Sequence, residues 1–278
     1  MEIKATDVAK LRQMTGAGMM DCKSALVEAN GDFDKAKDII REKGKLIAAK
    51  RADRDTTEGS VIALTKENNT KAILVCLGCE TDFVSKNTEF QQLANKIAAT
   101  ALSAMPANLD ELKALKMGDL TIEEAVTQQT GKSGEKHALP FYAKLEAPFI
   151  ATYIHTNGKL ATAVGFSKVI SPEVGDEIAM QITAMNPVSV SKDSCPKEKA
   201  MKVIEKELEI YRIQIREEGK PEHMVEQIAQ GKLNKFFKES TLEEQTFVQD
   251  GKITVSAYLK SVDPEVKVTG FYRYSLND

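Results

Sequence analysis

The stretch KIAATALSAMP, residues 96–106, has a counterpart in EIAMQITAMNP, residues 177–187. Both stretches are apolar at helical spacing, and both end at a proline, which cannot continue a helix. A pair of strand-like runs joined by a turn precedes each one, at residues 61–77 and again at residues 151–166. We therefore predict an internal duplication, in which strand, turn, strand and helix occur twice.

The two copies differ between the second strand and the helix. The first copy is longer there and contains Thr81, Asp82, Phe83 and Val84, which we call the TDFV segment. Its neighbours are polar and typical of a loop, whereas large apolar side chains such as Phe83 and Val84 usually belong to a core. An element that departs from its own repeat is more often functional than structural, so the TDFV segment is a candidate contact site.

Residues 5–52 predict three short helices, of which the third is capped by Asp32. On the second helix, Met20 and Val27 fall roughly opposite the residues that form the core face, and Met19 lies at the edge of that face. Exposed methionine beside exposed valine indicates contact with a partner, because methionine adapts to irregular surfaces. Single exposed apolar residues are also common in proteins without any such role.

The remaining chain completes an α+β fold. Residues 107–140 predict a short helix and a polar loop, residues 196–238 predict an antiparallel helical hairpin, and a strand at 267–274 could complete the second sheet. The predicted chain divides into a three-helix bundle at 1–54, an N-terminal core subdomain with the TDFV segment at 55–140, and a C-terminal core subdomain at 141–278, in which the helical hairpin is inserted at about 194–240.

The composition excludes several classes of protein. The chain has 278 residues, of which 42% are hydrophobic, and a net charge of −3, which argues against nucleic acid as a direct partner. No apolar stretch is long enough to span a bilayer, and the N-terminus, MEIKATDVAK, lacks the apolar segment of a signal peptide. We expect a cytoplasmic protein without a membrane partner.

No catalytic constellation stands out in the sequence. Cys76 and Cys79 have the spacing of half a zinc site or of a redox motif, and the simplest interpretation is two packed thiols at the end of a strand. TGKSG, residues 130–134, lacks the glycine that a phosphate loop needs, since Val126 stands there. We expect a binding or regulatory protein rather than an enzyme, with no cofactor and no bound metal.

Two long motifs resemble those of a known family. LRQMTGAGMMDCKSALVEANGD at 11–32 and CETDFVSKNTEF at 79–90 closely resemble the elongation factor Ts family, the exchange factors for elongation factor Tu. The similarity extends over nearly the whole chain to VTGFYRYS at 268–275. It implies that the bundle is similar to ubiquitin-associated domains and docks on the nucleotide-binding domain of elongation factor Tu through Arg12, Met19 and Met20.

The resemblance also implies a mechanism. In this family the TDFV segment pushes between two helices of elongation factor Tu, disturbs the magnesium site and lets GDP leave. The resemblance therefore implies that Phe83 and Val84 are exposed in the free protein, because their core lies in the partner. Gly131 falls near another contact segment, and His155 matches a histidine that reaches a further domain of the partner. Two features differ here: Thr130 precedes the glycine where family members are apolar, and the contact made by the extra C-terminal helix of longer members is expected to be absent.

Other arrangements stay open. The core or the helical hairpin could carry a homodimer or a 2:2 complex with elongation factor Tu. The main alternative function is an adaptor that uses the three-helix bundle to bind peptides or ubiquitin-like folds. A third is a redox enzyme that uses Cys76 and Cys79.

Overall fold

The computed structural model describes residues 3–194, 197–219 and 221–277. The N-terminal bundle has three helices: α1 (Ala5–Thr15), α2 (Met19–Glu28) and α3 (Phe33–Lys50). Asp32 caps α3 as predicted, because its carboxylate accepts hydrogen bonds from the backbone N–H groups of Asp34 and Lys35. The bundle closes on a small apolar core in which Leu11 and Leu26 are fully buried.

The first core subdomain is a three-stranded antiparallel sheet with helices. Its sheet has the order β1-β2-β5. The elements in chain order are β1 (Glu58–Lys66), β2 (Lys71–Cys79), α4 (Asp82–Ser85), α5 (Thr88–Ala104), α6 (Leu109–Ala114), β3 (Lys116–Met117), β4 (Leu120–Thr121), α7 (Ile122–Ser133) and β5 (His137–Glu146).

The second core subdomain has a similar sheet with the order β6-β7-β8. Its last strand comes from the end of the chain, as predicted for 267–274. Its elements are β6 (Phe149–Ile154), β7 (Leu160–Phe166), α8 (Pro172–Met185), α9 (Lys197–Glu217), α10 (Glu222–Ser240), α11 (Val255–Val262) and β8 (Val268–Ser275). The helices α9 and α10 form the predicted helical hairpin and share a buried cluster around Ile215, Val225 and Ala229.

The duplication extends to individual backbone angles. Ile97, Ala98 and Ala101 of α5 are fully buried, as are their counterparts Ile178, Ala179 and Ile182 of α8. Both helices end in a left-handed residue just before the proline, Met105 with φ of 50° and Asn186 with φ of 42°. Non-glycine residues seldom adopt this angle, so its recurrence at equivalent positions supports the repeat.

The repeat is longer than the sequence analysis predicted. GDLTI at 118–122 and GKITV at 251–255 each lead into a helix whose first turn is capped by the threonine, Thr121 for α7 and Thr254 for α11. Each of these helices is followed by the third strand of its sheet, β5 or β8. The repeated unit is therefore a hairpin, a helix, a variable insertion, a second helix and a third strand.

The prediction for residues 107–140 is right about a short helix, α6, and wrong about the polar loop, which contains α7 and the start of β5. The last residues of this range begin β5, which pairs with β2 from His137 to Glu146, so the predicted subdomain boundary at 140/141 falls within a strand. In the sequence, Pro140 argues against a strand, because proline has no backbone N–H to donate to a neighbouring strand. It is tolerated because β5 is an edge strand and Pro140 lies at the register shift, between Ala138, which pairs with Gly78, and Phe141, which pairs with Cys76.

The two sheets pack against each other across a shared apolar layer. Val61, Leu74 and Cys76 of the first sheet meet Ala161 of the second. Phe141 stacks on Tyr274 with ring centroids 4.5 Å apart, and the backbone N–H of Val61 donates to the carbonyl of Gly158. Within the described parts of the chain, no helix is long and apolar enough to cross a membrane.

Candidate functional site

The TDFV segment forms a single helical turn, not the predicted loop. Thr81 is the N-cap of α4, which runs from Asp82 to Ser85. The side chain of Phe83 is 85% exposed, the most exposed of the large apolar residues that the structure describes. The expectation that Val84 is also exposed is wrong: Val84 is half-buried against the core of the first subdomain, because the helical turn points consecutive side chains in different directions.

The turn is anchored on its N-terminal side by two carboxylates. Glu135 accepts the backbone N–H of Thr81 at 3.1 Å and the Thr81 hydroxyl at 2.7 Å. Arg51, at the end of α3, donates hydrogen bonds from Nη1 to the two carboxylate oxygens of Glu80 at 2.8 and 2.9 Å. Glu80 also accepts a hydrogen bond from the backbone N–H of Lys136 at 2.5 Å. The Lys136 N–H and the Arg51 guanidinium hold the pKa of Glu80 below its usual value.

The C-terminal side of the turn rests on the start of α5. The side-chain amide of Gln91 donates to the carbonyl of Ser85 at 2.6 Å, and the buried Ser85 hydroxyl donates to the carbonyl of Asp82 at 3.1 Å. The Asp82 carboxylate pairs with the ammonium group of Lys86 at 2.6 Å, which lowers the pKa of Asp82. Both partners of this ion pair reach solvent, so Asp82 holds the turn locally and its carboxylate stays accessible to a partner.

The bundle presents exposed apolar side chains, as predicted for its second helix. Met20 is 72% exposed, Val27 is 56% exposed and Met19 is 42% exposed. Met20 and Val27 lie two turns apart on the same side of α2. Met14 on α1 is 48% exposed, and sequence reasoning missed it because it considered only the face of α2. Arg12 is exposed in the last turn of α1.

Gly131 lies in the helix α7 and not in a polar loop. The Cα of Gly131 faces the Cα of Gly44 on α3, and a Cβ added to Gly131 would come within 2.8 Å of that atom. Two further contacts join α7 to the turn between α1 and α2: the stem of Lys132 covers Gly16, and Gln128 donates to the carbonyl of Thr15 at 3.5 Å. Gly131 therefore allows the bundle and the core to approach closely.

His155 lies in the turn between β6 and β7 and is exposed. Its Nδ1 is 3.4 Å from the Tyr153 hydroxyl, and its backbone N–H donates to the carbonyl of Leu160. The predicted contact residues thus lie on separate elements, with Met20 on α2, Phe83 on α4 and His155 at the second sheet. This arrangement suits a broad protein interface better than a pocket for a small molecule.

Cys76 and Cys79 lie on opposite faces of β2. Cys76 belongs to the layer between the two sheets, whereas Cys79 packs into the core beneath α5. Residues three apart in a strand point in opposite directions, so these two thiols are poorly placed to share a zinc ion or a disulfide. Burial raises the pKa of Cys76 and raises that of Cys79 to about 12, which disfavours reactive thiolates. Cys195 lies outside the described residues.

Comparison with known proteins identifies the family. The family model described as "Elongation factor TS" matches residues 80–278. The chain is 48% identical to the elongation factor Ts of Amoebophilus asiaticus over 98% of both chains. It is 46% identical to that of Christiangramia forsetii over 99% of both, and 46% identical to that of Porphyromonas gingivalis over 100% of this chain and 99% of the relative. The chain therefore belongs to the elongation factor Ts family.

Proposed function

We propose that the protein is a guanine-nucleotide exchange factor of protein synthesis. It binds elongation factor Tu in its GDP-bound form and promotes the release of GDP, so that GTP can bind. The observation that carries this proposal is the exposed ring of Phe83, held on a short helix that is anchored at both ends. Family membership supports the partner and the step in translation.

An exchange factor breaks no covalent bond and works through linked binding equilibria. If the factor weakens the affinity of its partner for nucleotide by some ratio, nucleotide weakens the affinity for the factor by the same ratio. The factor must therefore bind nucleotide-free elongation factor Tu more tightly than the GDP-bound form, by the same ratio. Burial of the Phe83 side chain between two helices of the partner contributes about 1.5–3 kcal/mol, which offsets part of the cost of displacing the magnesium ion.

The other residues of the TDFV segment have different parts in this mechanism. Val84 supports the helical turn from the side of the core, so it acts by holding Phe83 and does not insert into the partner. Asp82 keeps its carboxylate at the surface beside Lys86, where it can meet polar groups of the partner near the magnesium site. Thr81 fixes the start of the turn through its two bonds to Glu135.

Docking by the bundle and the second sheet supplies the remaining affinity. Arg12, Met19, Met20 and Val27 are exposed on the bundle, and His155 is exposed at the second hairpin. Gly131 contributes indirectly, since its contact with Gly44 sets where the bundle lies against the core. Self-association through the core or the helical hairpin stays a prediction, which analytical ultracentrifugation of the free protein and of its complex would test.

The direct test is stopped-flow release of a fluorescent GDP analogue from elongation factor Tu. Adding the protein should accelerate release in a concentration-dependent and saturable manner, and excess magnesium should slow the accelerated reaction. Complex formation without faster release would contradict exchange and would favour an adaptor that docks through the bundle. A lack of any complex would contradict both functions.

A further inference from the structure

The two carboxylates beside the TDFV segment form a reciprocal pair of bonds. The Glu80 carboxylate accepts a hydrogen bond from the backbone N–H of Lys136, the residue after Glu135. The Glu135 carboxylate accepts a hydrogen bond from the backbone N–H of Thr81, the residue after Glu80. Each acid thus binds the backbone of the segment that carries the other. We call these two residues and their bonds the Glu80–Glu135 clasp.

The clasp joins the TDFV segment to the bundle as well as to the core. Glu135 follows Gly134, which ends α7 in a left-handed conformation with φ of 74°. The next residue, Lys136, donates from its ammonium group to the carbonyls of Ala52 and Arg54 at 2.6 and 2.7 Å, just beyond α3. Arg51 binds the other side of the clasp through Glu80.

The helix α4 needs such external support because it is very short. A single helical turn is unstable by itself, since nucleation fixes several residues for few hydrogen bonds. Thr81 occupies the N-cap, where a threonine hydroxyl ordinarily accepts a backbone N–H of the first turn, but its side chain makes no capping bond here. The hydroxyl donates to Glu135 instead, so a local stabilising bond is exchanged for a bond to a residue 54 positions away.

We propose that Glu135 is a positioning residue for nucleotide exchange, which holds Thr81 and thereby presents the Phe83 ring in one orientation before the partner arrives. This inference rests on the proposed function. Glu135 acts through Thr81 and need not touch the partner. Holding an inserting side chain in its bound orientation lowers the ordering cost of the productive complex, so the rate of nucleotide release depends on the clasp.

The first experiment uses the free protein and needs no partner. The chain contains no tryptophan, so Phe83→Trp places a single fluorescent reporter on the turn. In that background Glu135→Ala and Thr81→Val should each lower the long-time fluorescence anisotropy of Trp at position 83, because the ring then moves over a wider range. Thr81→Ser keeps both donors to Glu135 and serves as the matched control, with anisotropy near that of the parent.

The second experiment measures exchange with Phe83 present. In release of a fluorescent GDP analogue, Glu135→Ala should lower the maximal rate at saturating factor roughly tenfold, with less than a twofold change in the half-saturating concentration. Thr81→Val should lower the maximal rate less, since the backbone N–H still binds Glu135. A general loss of structure would instead lower the melting temperature and raise the half-saturating concentration.

The outcomes separate this inference from the proposed function. Unchanged anisotropy in Glu135→Ala, or an effect confined to the half-saturating concentration, would overturn the positioning role. If the unmodified protein does not accelerate release, the proposed function fails, and the anisotropy experiment still decides whether the clasp orients position 83. Should Glu135→Ala fail to fold, Thr81→Val carries the same two tests.

Discussion

At the scale of single residues, two phenylalanines in one motif have opposite environments. Phe90 is fully buried in the first core, whereas Phe83 is 85% exposed. Burial of an aromatic side chain stabilises the molecule that provides the surrounding core. Phe90 therefore contributes to the folding of this protein, and the apolar surface of Phe83 remains available to another molecule.

The contrast predicts different effects on stability. Phe83→Ala should change the free energy of unfolding by no more than about 0.5 kcal/mol, since the side chain has few contacts to lose. Phe90→Ala should lower it by about 3–5 kcal/mol, because the substitution leaves a cavity in the core. Urea denaturation of both variants measures the difference. A cost above about 2 kcal/mol for Phe83→Ala would show that the ring packs within the protein.

His137 is a buried residue that sequence analysis did not single out. It starts β5, its ring lies near that of Phe90, and its Nε2 has no hydrogen-bond partner within the described residues. Burial lowers the pKa of His137, although the carbonyl and carboxylate of Glu135 and the carboxylate of Glu80 act in the opposite direction. The unfolded chain therefore binds a proton more readily at this position than the folded chain does.

The lowered pKa predicts a loss of stability in mild acid. Stability rises with pH wherever the unfolded state binds more protons, so the contribution of neutral His137 is complete above about pH 6.5 and declines as the pH falls through the lower folded value. The urea midpoint should fall between pH 7.5 and pH 5.5, and by less in His137→Gln. An identical pH dependence in this variant would contradict the assignment. His155→Gln, at an exposed histidine, is the control.

At the scale of elements, the crossing of α3 and α7 fixes the bundle on the core. A Cβ at Gly131 would come within 2.8 Å of the backbone of α3, whereas a Cβ at Gly44 would meet its nearest atoms at 3.7 and 3.8 Å, an ordinary contact distance. The same crossing therefore tolerates alanine on one helix and not on the other. This asymmetry cannot be derived from the sequence, which does not show that the two glycines face each other across a helix crossing.

The asymmetry gives a paired prediction. Gly44→Ala should leave stability unchanged or raise it by up to about 1 kcal/mol, because alanine favours helices over glycine. Gly131→Ala should force the helices apart, lower the melting temperature and weaken the complex with elongation factor Tu, with a cost of about 1–3 kcal/mol. Thermal unfolding and isothermal titration calorimetry measure both effects. Equal behaviour of the two variants would contradict the close crossing.

The elements also show what periodicity can predict. The buried faces of α5 and α8 and the exposed Met20 follow from helical spacing, because long amphipathic helices leave a strong pattern. The single turn of α4 is too short to produce a periodic pattern. Pro140 made the edge strand β5 look like a loop in the sequence. The Glu80–Glu135 clasp depends on β5 pairing with β2, so residues distant in sequence meet only after the sheet has formed.

At the scale of the whole molecule, docking and nucleotide release are assigned to different regions. Met14, Met19 and Met20 are exposed on the bundle, and Phe83 lies on the core at a turn tied to the end of α3. An interface of this breadth can supply the free energy that a single phenylalanine cannot. The two functions should therefore respond separately to substitution.

Met20→Ala should mainly weaken docking. Loss of an exposed apolar anchor typically costs about 1–2 kcal/mol at an interface, so the dissociation constant of the complex should rise roughly fivefold to thirtyfold. The release rate at saturating concentrations should stay close to that of the unmodified protein. Met185→Ala, at an exposed methionine of α8, is the matched control and should leave the affinity unchanged. An unchanged affinity of Met20→Ala would contradict the docking surface.

The central claim is that the exposed ring of Phe83 drives the release of nucleotide. Its most direct test is stopped-flow release of a fluorescent GDP analogue from elongation factor Tu with Phe83→Ala, together with the affinity of that variant for nucleotide-free elongation factor Tu. We predict that the maximal release rate falls at least tenfold while the affinity falls by a smaller factor. An unchanged maximal rate, or a loss of affinity that accounts for the whole effect, would show that Phe83 only docks.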